Sequence, residues 1–473
     1  MIHSRQLGRR WRIPRGLALA VVALVAVATA TAAAGNSSAT PIKIAIMSDC
    51  GGAFAANYQQ DIGGAITAIS EFGGAKPNNK NKPSAGWHGG SIGGHPLKLV
   101  GIGCANDTAD SAIKETKRLM EQLGADMMIG PLSGDESVAV ANYAKQHPTK
   151  TFVNGTAGAW DTTAAVKAPN FFRFNGSGVQ WQAGIGSIAT KKDKWKKAAI
   201  IMDDYSFGYA SGAGFIADFC AAGGTITKRV FPPLNTTDYS SFVQQLPAPD
   251  KVDGYFWAVG GTGTVPSIKA FENLYGPMKA SQVIGNLFFF SSGADKTIGP
   301  HLSGAYVGGF GTSPDLKSPL VTKYKQILDK WFNKYPPLAG KASDHAADGF
   351  TYNYYVNAWA LMKALNQVKG NISGGQKALQ AALKKTKLPT AAYGPLFLGK
   401  NNQALQQQYS YRMDVSAPGA LAIVTVQKVK QFVDETFGGT VVKPPSRTYP
   451  TCAHKKLPWT GKGVPVVNGV VKG

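Results

Sequence analysis

Short apolar runs alternate with amphipathic stretches along most of this chain. Residues 41–47 (PIKIAIM) and 97–102 are typical of buried strands. The apolar positions of residues 60–72, and those that follow Asp107, recur at helical spacing, and we expect Asp107 to cap the second of these helices. Strands that alternate with helices predict an α/β fold with parallel sheets.

The most informative stretch, residues 124–163, predicts one β-α-β unit. A strand at 125–129 ends in Gly130-Pro131, a small polar turn follows at 132–135, and a helix runs to His147-Pro148. A second strand, 150–153, ends in the residues NGTAG. Ligands bind beyond the carboxyl ends of such strands, and small polar tips with free backbone N–H groups suit an anion. The alternative is that these residues only form tight turns.

The alternation restarts in the second half of the chain. Strands are predicted at 198–202, 225–231, 254–259 and 283–290, with helices between them. Two such runs, joined near residue 174, predict two doubly wound parallel-sheet lobes. Two helices, 320–335 and 344–368, come next, and the aromatic residues of the second favour core and interlobe packing. A helix at 375–386 and a hairpin within 394–415 complete the pattern, and a Pro-, Gly- and Lys-rich tail from 441 is expected to be poorly structured.

The chain has 473 residues and a formal net charge of +23. Five of these charges are arginines within residues 1–34, so the rest of the chain carries +18. Such a balance is compatible with nucleic acid, an anionic envelope surface or acidic partners. There is no arginine-rich helix and no aromatic RNA-binding signature, so no nucleic-acid partner is predicted. A solvated surface with surplus lysine is the favoured interpretation of the excess charge.

Residues 1–34 have the pattern of an export signal. Arginines precede an apolar run at 17–28, and Ala32-Ala33-Ala34 offers a cleavage site before Gly35. A retained membrane anchor is the rival interpretation, and no later run is apolar for long enough to cross a bilayer. We therefore expect an exported protein, periplasmic or at the cell surface.

Four cysteines, Cys50, Cys104, Cys220 and Cys452, fit an oxidising compartment and allow three pairings. Cys50 and Cys104 end the first two predicted strands, so their sulfurs meet if these strands are neighbours. This favours Cys50–Cys104 and leaves Cys220–Cys452 to tether the tail, with buried free thiols as the alternative.

The order of these parts resembles the substrate-binding proteins of ABC importers, of the branched-chain amino-acid (Leu/Ile/Val) type. The resemblance covers roughly residues 41–435. It is carried by PIKIAIM, by GGHPLKLVGIGCANDTADSAIKETKRLMEQLGADMMIGPLSG, by NGTAG followed by PNFFRF, by AAIIMDDYSFGYASG and by YGPLFLGKNNQALQQQYSYRMDV.

The resemblance implies a periplasmic binding protein type I fold, in which two lobes joined by a three-segment hinge close on a small-molecule ligand. It implies an N-terminal lobe of residues 41–173 and 307–392, a C-terminal lobe of residues 174–306 and 393–440, and a tail from 441 to 473. The implied partner is an ABC permease in the membrane, the implied state is a monomer, and no cofactor, metal or catalytic residue is expected. The implied ligand-binding residues are Phe54, Tyr58, Ser133, Gly134, Asp135, Asn154, Gly155, Thr156, Ala157, Tyr205, Phe207, Gly260, Gly261 and Thr262.

One stretch departs from the pattern of amino-acid binders in this family. They hold the ligand ammonium with an acid at a strand tip of the second lobe, whereas residues 285–290 (GNLFFF) contain no carboxylate. Burying an ammonium without a counter-charge is costly, so Asp135 or Asp203 would have to substitute, or the ligand is another carboxylate or an amide. An α/β enzyme and a sensing domain of the same fold are the competing functions. Neither a nucleophile elbow nor a P-loop is present to favour the enzyme.

Overall fold

The apolar strands near the start of the chain pair into one sheet in the computed structural model, which describes residues 39–286, 297, 300–313, 315–339, 349–415 and 421–472. All of the elements below belong to the unit Thr40–Gly473. The strands are β1 (Ile42–Asp49), β2 (Ala75–Pro77), β3 (Trp87–Gly89), β4 (Ser91–Ile92), β5 (His95–Ala105), β6 (Met127–Ile129), β7 (Thr151–Val153) and β8 (Phe171–Phe172). The helices are α1 (Tyr58–Gly73), α2 (Ala109–Lys117), α3 (Gly134–Gln146) and α4 (Asp161–Ala164).

This first sheet has the order β4-β5-β1-β6-β7-β8 and is parallel except at β4. Seven of the eight residues of β1 are buried because helices cover both faces of the sheet. The prediction of alternating strands and helices is confirmed here, with ends displaced by a few residues. The predicted polar turn at 132–135 is wrong in part, since α3 already begins at Gly134.

The second half of the chain builds a second sheet. Its parallel strands are β9 (Lys197–Met202), β10 (Thr225–Val230), β11 (Gly254–Ala258), β12 (Val283–Gly285) and β13 (Tyr306–Val307), in the order β10-β9-β11-β12-β13. The helices are α5 (Ile185–Lys191), α6 (Ser206–Ala221), α7 (Ser240–Val243) and α8 (Thr264–Tyr275). Residues 287–290, the second half of the strand predicted at 283–290, lie outside the described residues. We call the first sheet with its helices the first lobe, and the second sheet with its helices the second lobe.

The chain then returns to the first lobe and crosses back again. The later elements are α9 (Pro319–Phe332), α10 (Gly349–Gln367), α11 (Lys377–Lys385), β14 (Lys387–Leu388), β15 (Leu396–Leu398), β16 (Ala404–Val415), β17 (Leu421–Val433), β18 (Val464–Val467) and β19 (Val470–Val471). Tyr354 and Tyr355 of α10 pack into the first-lobe core with Ile62 and Met127, so the predicted core role of the aromatic run is confirmed. Strands β16 to β19 extend the second sheet with antiparallel pairing, and β15 with β16 is the predicted hairpin.

The C-terminal tail is folded, and the expectation of a poorly structured tail is wrong. Strand β18 pairs with β17, and the buried Trp459 donates its indole N–H to Asp218 Oδ1 at 2.7 Å. The Cys220–Cys452 disulfide joins the tail to the end of α6, with a Cα–Cα distance of 5.4 Å. A tail rich in Pro, Gly and Lys is ordered here because the second lobe supplies the apolar surface and the acceptors that the tail lacks by itself.

A disulfide joins the ends of β1 and β5 as predicted, but the N-cap of the helix that follows β5 is not the predicted residue. Cys104 pairs with Ser48 in the sheet register, and the Cys50–Cys104 disulfide has a Cα–Cα distance of 5.1 Å. Asp107 does not cap α2: Thr108 is the N-cap, and its side chain accepts from the Ser111 N–H. Asp107 instead adopts a left-handed φ of 70° and accepts the Ala53 N–H. The carboxylate therefore holds the loop that follows β1.

Buried amide side chains connect the chain segments that cross between the lobes. Asn175 Oδ1 accepts from Asn154 at 3.0 Å and from Asn357 at 2.9 Å. Gln403 Nε2 donates to Asn175 O at 2.7 Å and to Gln180 Oε1 at 3.0 Å. Because buried amides need partners of defined geometry, this network sets how the crossing segments lie against each other.

Candidate functional site

The strand tips of the two lobes meet at a cavity of about 270 Å³. The lining residues are Phe54, Leu132, Ser133, Gly134, Thr156, Gly158, Trp181, Tyr205, Phe207, Phe310 and Phe350. Six of them belong to the set that the resemblance implied: Phe54, Ser133, Gly134, Thr156, Tyr205 and Phe207. The first four come from first-lobe tips and the last two from the start of α6, so the cavity is an interlobe site.

The other implied residues lie around the cavity rather than on its wall. Asp135 Oδ1 accepts the Ser206 N–H across the cleft at 3.1 Å. Asn154 belongs to the amide network at the crossings, and the Tyr354 ring packs directly against Gly155. Thr262 donates its N–H to Ala53 O at 3.2 Å. These residues join the lobes to each other or shape the strand tips.

Four further residues of the implied set also lie outside the lining. Tyr58 is partly buried at the start of α1 and packs against the first-lobe core. Ala157 O accepts from the Asn154 side chain at 3.0 Å. Gly260 donates its N–H to Asp203 Oδ2 at 2.7 Å, and Gly261 packs against Ala53. The two acids considered as substitutes for the ammonium-binding residue, Asp135 and Asp203, thus hold backbone N–H groups and do not line the cavity.

Five lining residues were not predicted. They are Leu132, Gly158, Trp181, Phe310 and Phe350. Trp181 follows the first crossing, Phe310 lies in the second, and Phe350 begins α10. The glycine-rich run around Phe310 and the aromatic run that contains Phe350 were visible in the sequence. Nothing in a local pattern indicates that segments so far apart in the chain converge on one cavity.

The cavity is surrounded by six aromatic side chains that also contact one another. The ring centroids of Trp181 and Phe310 are 4.8 Å apart, and those of Phe310 and Phe350 are 5.0 Å apart, both edge to face. Trp181 and Phe207 are 5.9 Å apart, and Phe54 and Tyr205 are 6.4 Å apart. Both lobes and the crossings contribute rings, so opening the cleft would separate them. Such a wall favours a flat apolar or aromatic ligand body.

Two helix N-termini face the same cavity. Ser133 is the N-cap of α3, in a capping box in which Glu136 accepts the Ser133 N–H at 3.3 Å, and Tyr205 is the N-cap of α6. Gly134 approaches the Ser206–Phe207 backbone so closely that a Cβ on Gly134 would lie 2.9 Å from the Phe207 nitrogen. Helix N-termini carry partial positive charge and free N–H groups. Asp135 already accepts the Ser206 N–H at the start of α6 and Glu136 accepts the Ser133 N–H, so only the remaining N–H groups of the two termini are available to favour an anionic group at this end of the cavity.

A buried guanidinium supports the strand tip that contains Thr156. Arg173 is fully buried and donates to Ala159 O at 2.6 Å, to Thr163 Oγ1 at 2.9 Å and to Gln403 Oε1. Burial lowers the pKa of Arg173 to about 9, so the side chain stays charged at neutral pH. The carboxyl groups of Glu435 and Asp161 favour the charged form of this guanidinium and partly offset the effect of its burial.

Three buried carboxyl groups lie behind the first-lobe tips. Glu136 Oε1 accepts the Asp107 N–H at 3.0 Å, and Asp49 lies beside both residues. Burial raises the pKa of Glu136 to about 7, and burial together with the neighbouring acids raises the pKa of Asp49. The folded protein therefore holds protons here that the unfolded chain releases.

We expect this group to make stability depend on pH in a defined direction. The folded pKa of Glu136 lies above its ordinary value of 4.5, so the protonated group favours folding at low pH. That contribution falls as pH rises through 4.5 towards 7, by up to about 3 kcal/mol. Urea unfolding of the wild type and of Glu136→Gln at pH 5 and pH 8 measures this contribution. The free energy of unfolding of the wild type minus that of the variant should be smaller at pH 8 than at pH 5.

The matched control for this measurement is Asp250→Asn, at an exposed turn where a lysine is the paired side chain. Its difference from the wild type should vary little between the two pH values. A wild-type advantage over Glu136→Gln that is equal at both pH values, or larger at pH 8, would contradict the assignment.

Within the described part of the chain, no group of three or more His, Cys, Asp or Glu side chains has a geometry that could hold a metal ion. In the same part, no helix has the length and apolar character needed to span a bilayer. The predicted export signal at residues 1–34 lies outside the described residues.

Two lobes, three crossings and a ring-lined interlobe cavity define a two-lobed α/β solute-binding protein. The chain belongs to the periplasmic binding protein family, whose model matches residues 41–418. As the resemblance implied, it has the type I fold, and the proteins it is similar to include Leu/Ile/Val-binding protein homologues. This is a family of solute-binding proteins.

The individual relatives are distant. Leu/Ile/Val-binding protein homolog 6 of Brucella melitensis is 23% identical over 188 residues, which cover 39% of this chain and 46% of that protein. The chain thus matches about half the length of this relative. A solute-binding protein of an ABC transporter from R. palustris, solved in complex with benzoate, has a TM-score of 0.66 at 19% identity, over 83% of this chain and 97% of that one. A leucine-binding protein from Thermotoga maritima has a TM-score of 0.63 at 16% identity, over 81% and 97%.

Proposed function

We propose that this protein is the extracytoplasmic solute-binding component of an ABC importer, and that its cavity takes a small aromatic or apolar carboxylate. The single observation that carries the proposal is the cavity itself, with rings on its wall and two helix N-termini at one end. The bound ligand would be released to a membrane permease, its proposed partner, by a protein that acts as a monomer.

The proposed mechanism is hinge closure between the lobes. We assign residues 41–173 and 307–392 to one lobe and residues 174–306 and 393–440 to the other. The separate sheets that β1 with β4 to β8 and β9 to β12 with β16 and β17 form support this division, although β13 spans the boundary at 306–307 and β14 pairs with β15 across the boundary at 392–393. The tail, 441–473, belongs with the second lobe through β18 and the Cys220–Cys452 disulfide. Contacts across the cleft, such as Asp135 with Ser206 and Thr262 with Ala53, would form only when the lobes close.

The size and wall of the cavity limit the ligand. The rings leave little free space in the described arrangement, so the cleft would have to open to admit a ligand, and we expect that ligand to be a small solute. The carboxylate would lie at Ser133 and Gly134, where the N-terminus of α3 favours negative charge. The body of the ligand would lie among the rings of Phe54, Trp181 and Phe207.

An α-amino acid is the less favoured ligand. No lining residue is an aspartate or glutamate, so a ligand ammonium would have no counter-charge on the described wall. The benzoate complex of the R. palustris protein and the leucine-binding protein from Thermotoga maritima share the fold with this chain. Both ligand types therefore belong in the test.

We expect benzoate and 4-hydroxybenzoate to raise the midpoint of thermal unfolding, and leucine to leave it unchanged. A ligand at 100 times its Kd stabilises the folded state by about 2.7 kcal/mol. Titration calorimetry then measures Kd for any ligand that shifts the midpoint. Benzylamine is the matched control, because it keeps the ring and exchanges the anion for a cation.

Leucine binding with no response to benzoate would contradict the proposed ligand class while preserving the binding function. Turnover of either compound by the purified protein would instead contradict the binding function itself.

A further inference from the structure

A second concave surface lies on the second lobe, away from the strand tips. This groove of about 940 Å³ runs between α5, β13, the β16–β17 pair and the tail. Its lining residues are Ser187, Ile188, Lys191, Lys192, Tyr306, Arg412, Val426, Gln427, Gly461, Gly463, Pro465, Val466 and Val467. Its tail wall lies beyond residue 418, where the match to the family model ends. The groove is therefore a feature that the solute-binding fold does not by itself explain.

The groove is cationic and its charges are not neutralised by neighbouring acids. Lys191, Lys192 and Arg412 are exposed, and no ion pair to any of them occurs among the residues that the structure describes. Residues 191–197 read KKDKWKK, and residues 436–473 contain six Lys or Arg and no Asp or Glu. The one acid of the KKDKWKK segment, Asp193, is half-buried, and burial raises its pKa to about 7. Within the described residues, the groove wall thus carries three basic side chains, Lys191, Lys192 and Arg412, and no acid.

Apolar residues accompany these charges. Ile188, Val426 and Val466 line the groove, and Val467, also on its wall, is 48% exposed. Val470, across the β18–β19 hairpin, is 43% exposed. Large apolar side chains exposed beside unpaired cations are unfavourable in water alone and fit a surface that offers anions above apolar chains.

We propose that this groove docks the protein on the anionic surface of a membrane, with phosphate headgroups against Lys191, Lys192 and Arg412. Val467 and Val470 would enter the boundary between headgroups and acyl chains. A soluble polyanion satisfies the charges but not the valines, which is why a bilayer is the occupant that the groove fits. The inference is independent of the cleft ligand and goes beyond solute binding, because it places the second lobe at the bilayer.

The experiment uses the purified chain and vesicles of phosphatidylcholine, either alone or with about one third phosphatidylglycerol. We expect cosedimentation with the anionic vesicles only, and a loss of binding as salt rises. The triple variant Lys191→Gln/Lys192→Gln/Arg412→Gln should lower vesicle partition by about 100-fold, since each basic residue near an anionic surface contributes roughly fivefold. Val467→Ser/Val470→Ser should lower it by several fold without removing its salt dependence.

The matched control removes the same charge from exposed lysines of the first lobe, as Lys76→Gln/Lys98→Gln/Lys117→Gln. This variant should bind anionic vesicles within about twofold of the wild type, since its lysines lie outside the groove. Circular dichroism and the thermal midpoint establish that each variant is folded.

Three outcomes would overturn the proposal. The first is absence of binding to anionic vesicles. The second is an equal loss in the groove and control triples, which would indicate diffuse attraction by net charge. The third is tight binding of heparin through the same three residues with no vesicle binding, which would assign the groove to a soluble polyanion.

Discussion

Replacing Gly134 by valine is expected to weaken ligand binding by at least about 100-fold, equivalent to about 2.7 kcal/mol. A Cβ at this position would lie 2.7 Å from Ser206 Oγ and 2.9 Å from both the nitrogen and the Cβ of Phe207. Two of these atoms cannot move as the end of a flexible side chain does, so the lobes would have to separate. The closed site depends on rings and N–H groups from both lobes, so the ligand would lose its contacts with the second lobe.

The control for this substitution is Gly51→Ala, on a neighbouring tip of the same lobe. An added Cβ there meets nothing closer than 3.4 Å, so affinity should change by less than about threefold. Calorimetry with the ligand found by the thermal screen gives both values. Small-angle scattering of the liganded Gly134→Val protein should show a more open molecule than the liganded wild type. Wild-type affinity in Gly134→Val would mean that the lobes do not close on the ligand in the described arrangement.

Replacing Arg173 by methionine is expected to destabilise the protein by about 1 to 3 kcal/mol. The methionine keeps most of the side-chain length, but it leaves Ala159 O buried without its donor. It also removes the Arg173 bonds to Thr163 Oγ1 and Gln403 Oε1, which still bond to each other. Each buried acceptor without a partner costs about 1 to 3 kcal/mol. The loss should appear as a lower midpoint of urea unfolding.

Arg118→Met is the matched control for Arg173→Met. Arg118 forms a partly exposed pair with Glu115 at 2.8 Å, and pairs near the surface contribute about 0 to 1 kcal/mol. A loss of less than about 1 kcal/mol in Arg173→Met, similar to the control, would show that water replaces the guanidinium and that the crossing is not closely packed. A large loss in Arg173→Met alone would establish that the crossing depends on this side chain.

The two substitutions distinguish two roles of the interlobe region, which are ligand binding and folding stability. Gly134 lies where the lobes approach, so its effect should appear in affinity while the unfolding midpoint changes little. Arg173 lies fully buried where the chain crosses between the lobes, so its effect should appear first in stability. The expected contrast follows from the described contacts and does not depend on which carboxylate is bound.

The sequence alone determined most of the strands and helices and the division of the chain into two lobes. Residues 41–47 and 125–129 are apolar apart from Lys43 and Asp126 because both faces of their sheet are covered, and such runs are visible locally. The pairing of Cys50 with Cys104 followed from the ends of two neighbouring strands. The small polar tips at Ser133 and Thr156 were predicted from turn chemistry and from a family resemblance, and both line the cavity.

Only the tertiary structure decided what surrounds those tips. Trp181, Phe310 and Phe350 converge on the cavity because three separate segments of the chain pass between the lobes, which no local period reveals. Asp107 holds Ala53 rather than capping its own helix, since a buried N–H from a neighbouring strand end competes for its carboxylate. The tail is ordered because the second lobe offers Asp218 and an antiparallel strand edge, although its own composition is that of a loop. Local sequence sets backbone preference, whereas burial and hydrogen-bond partners come from residues distant in the chain, and these decided the cavity, the tail and the groove.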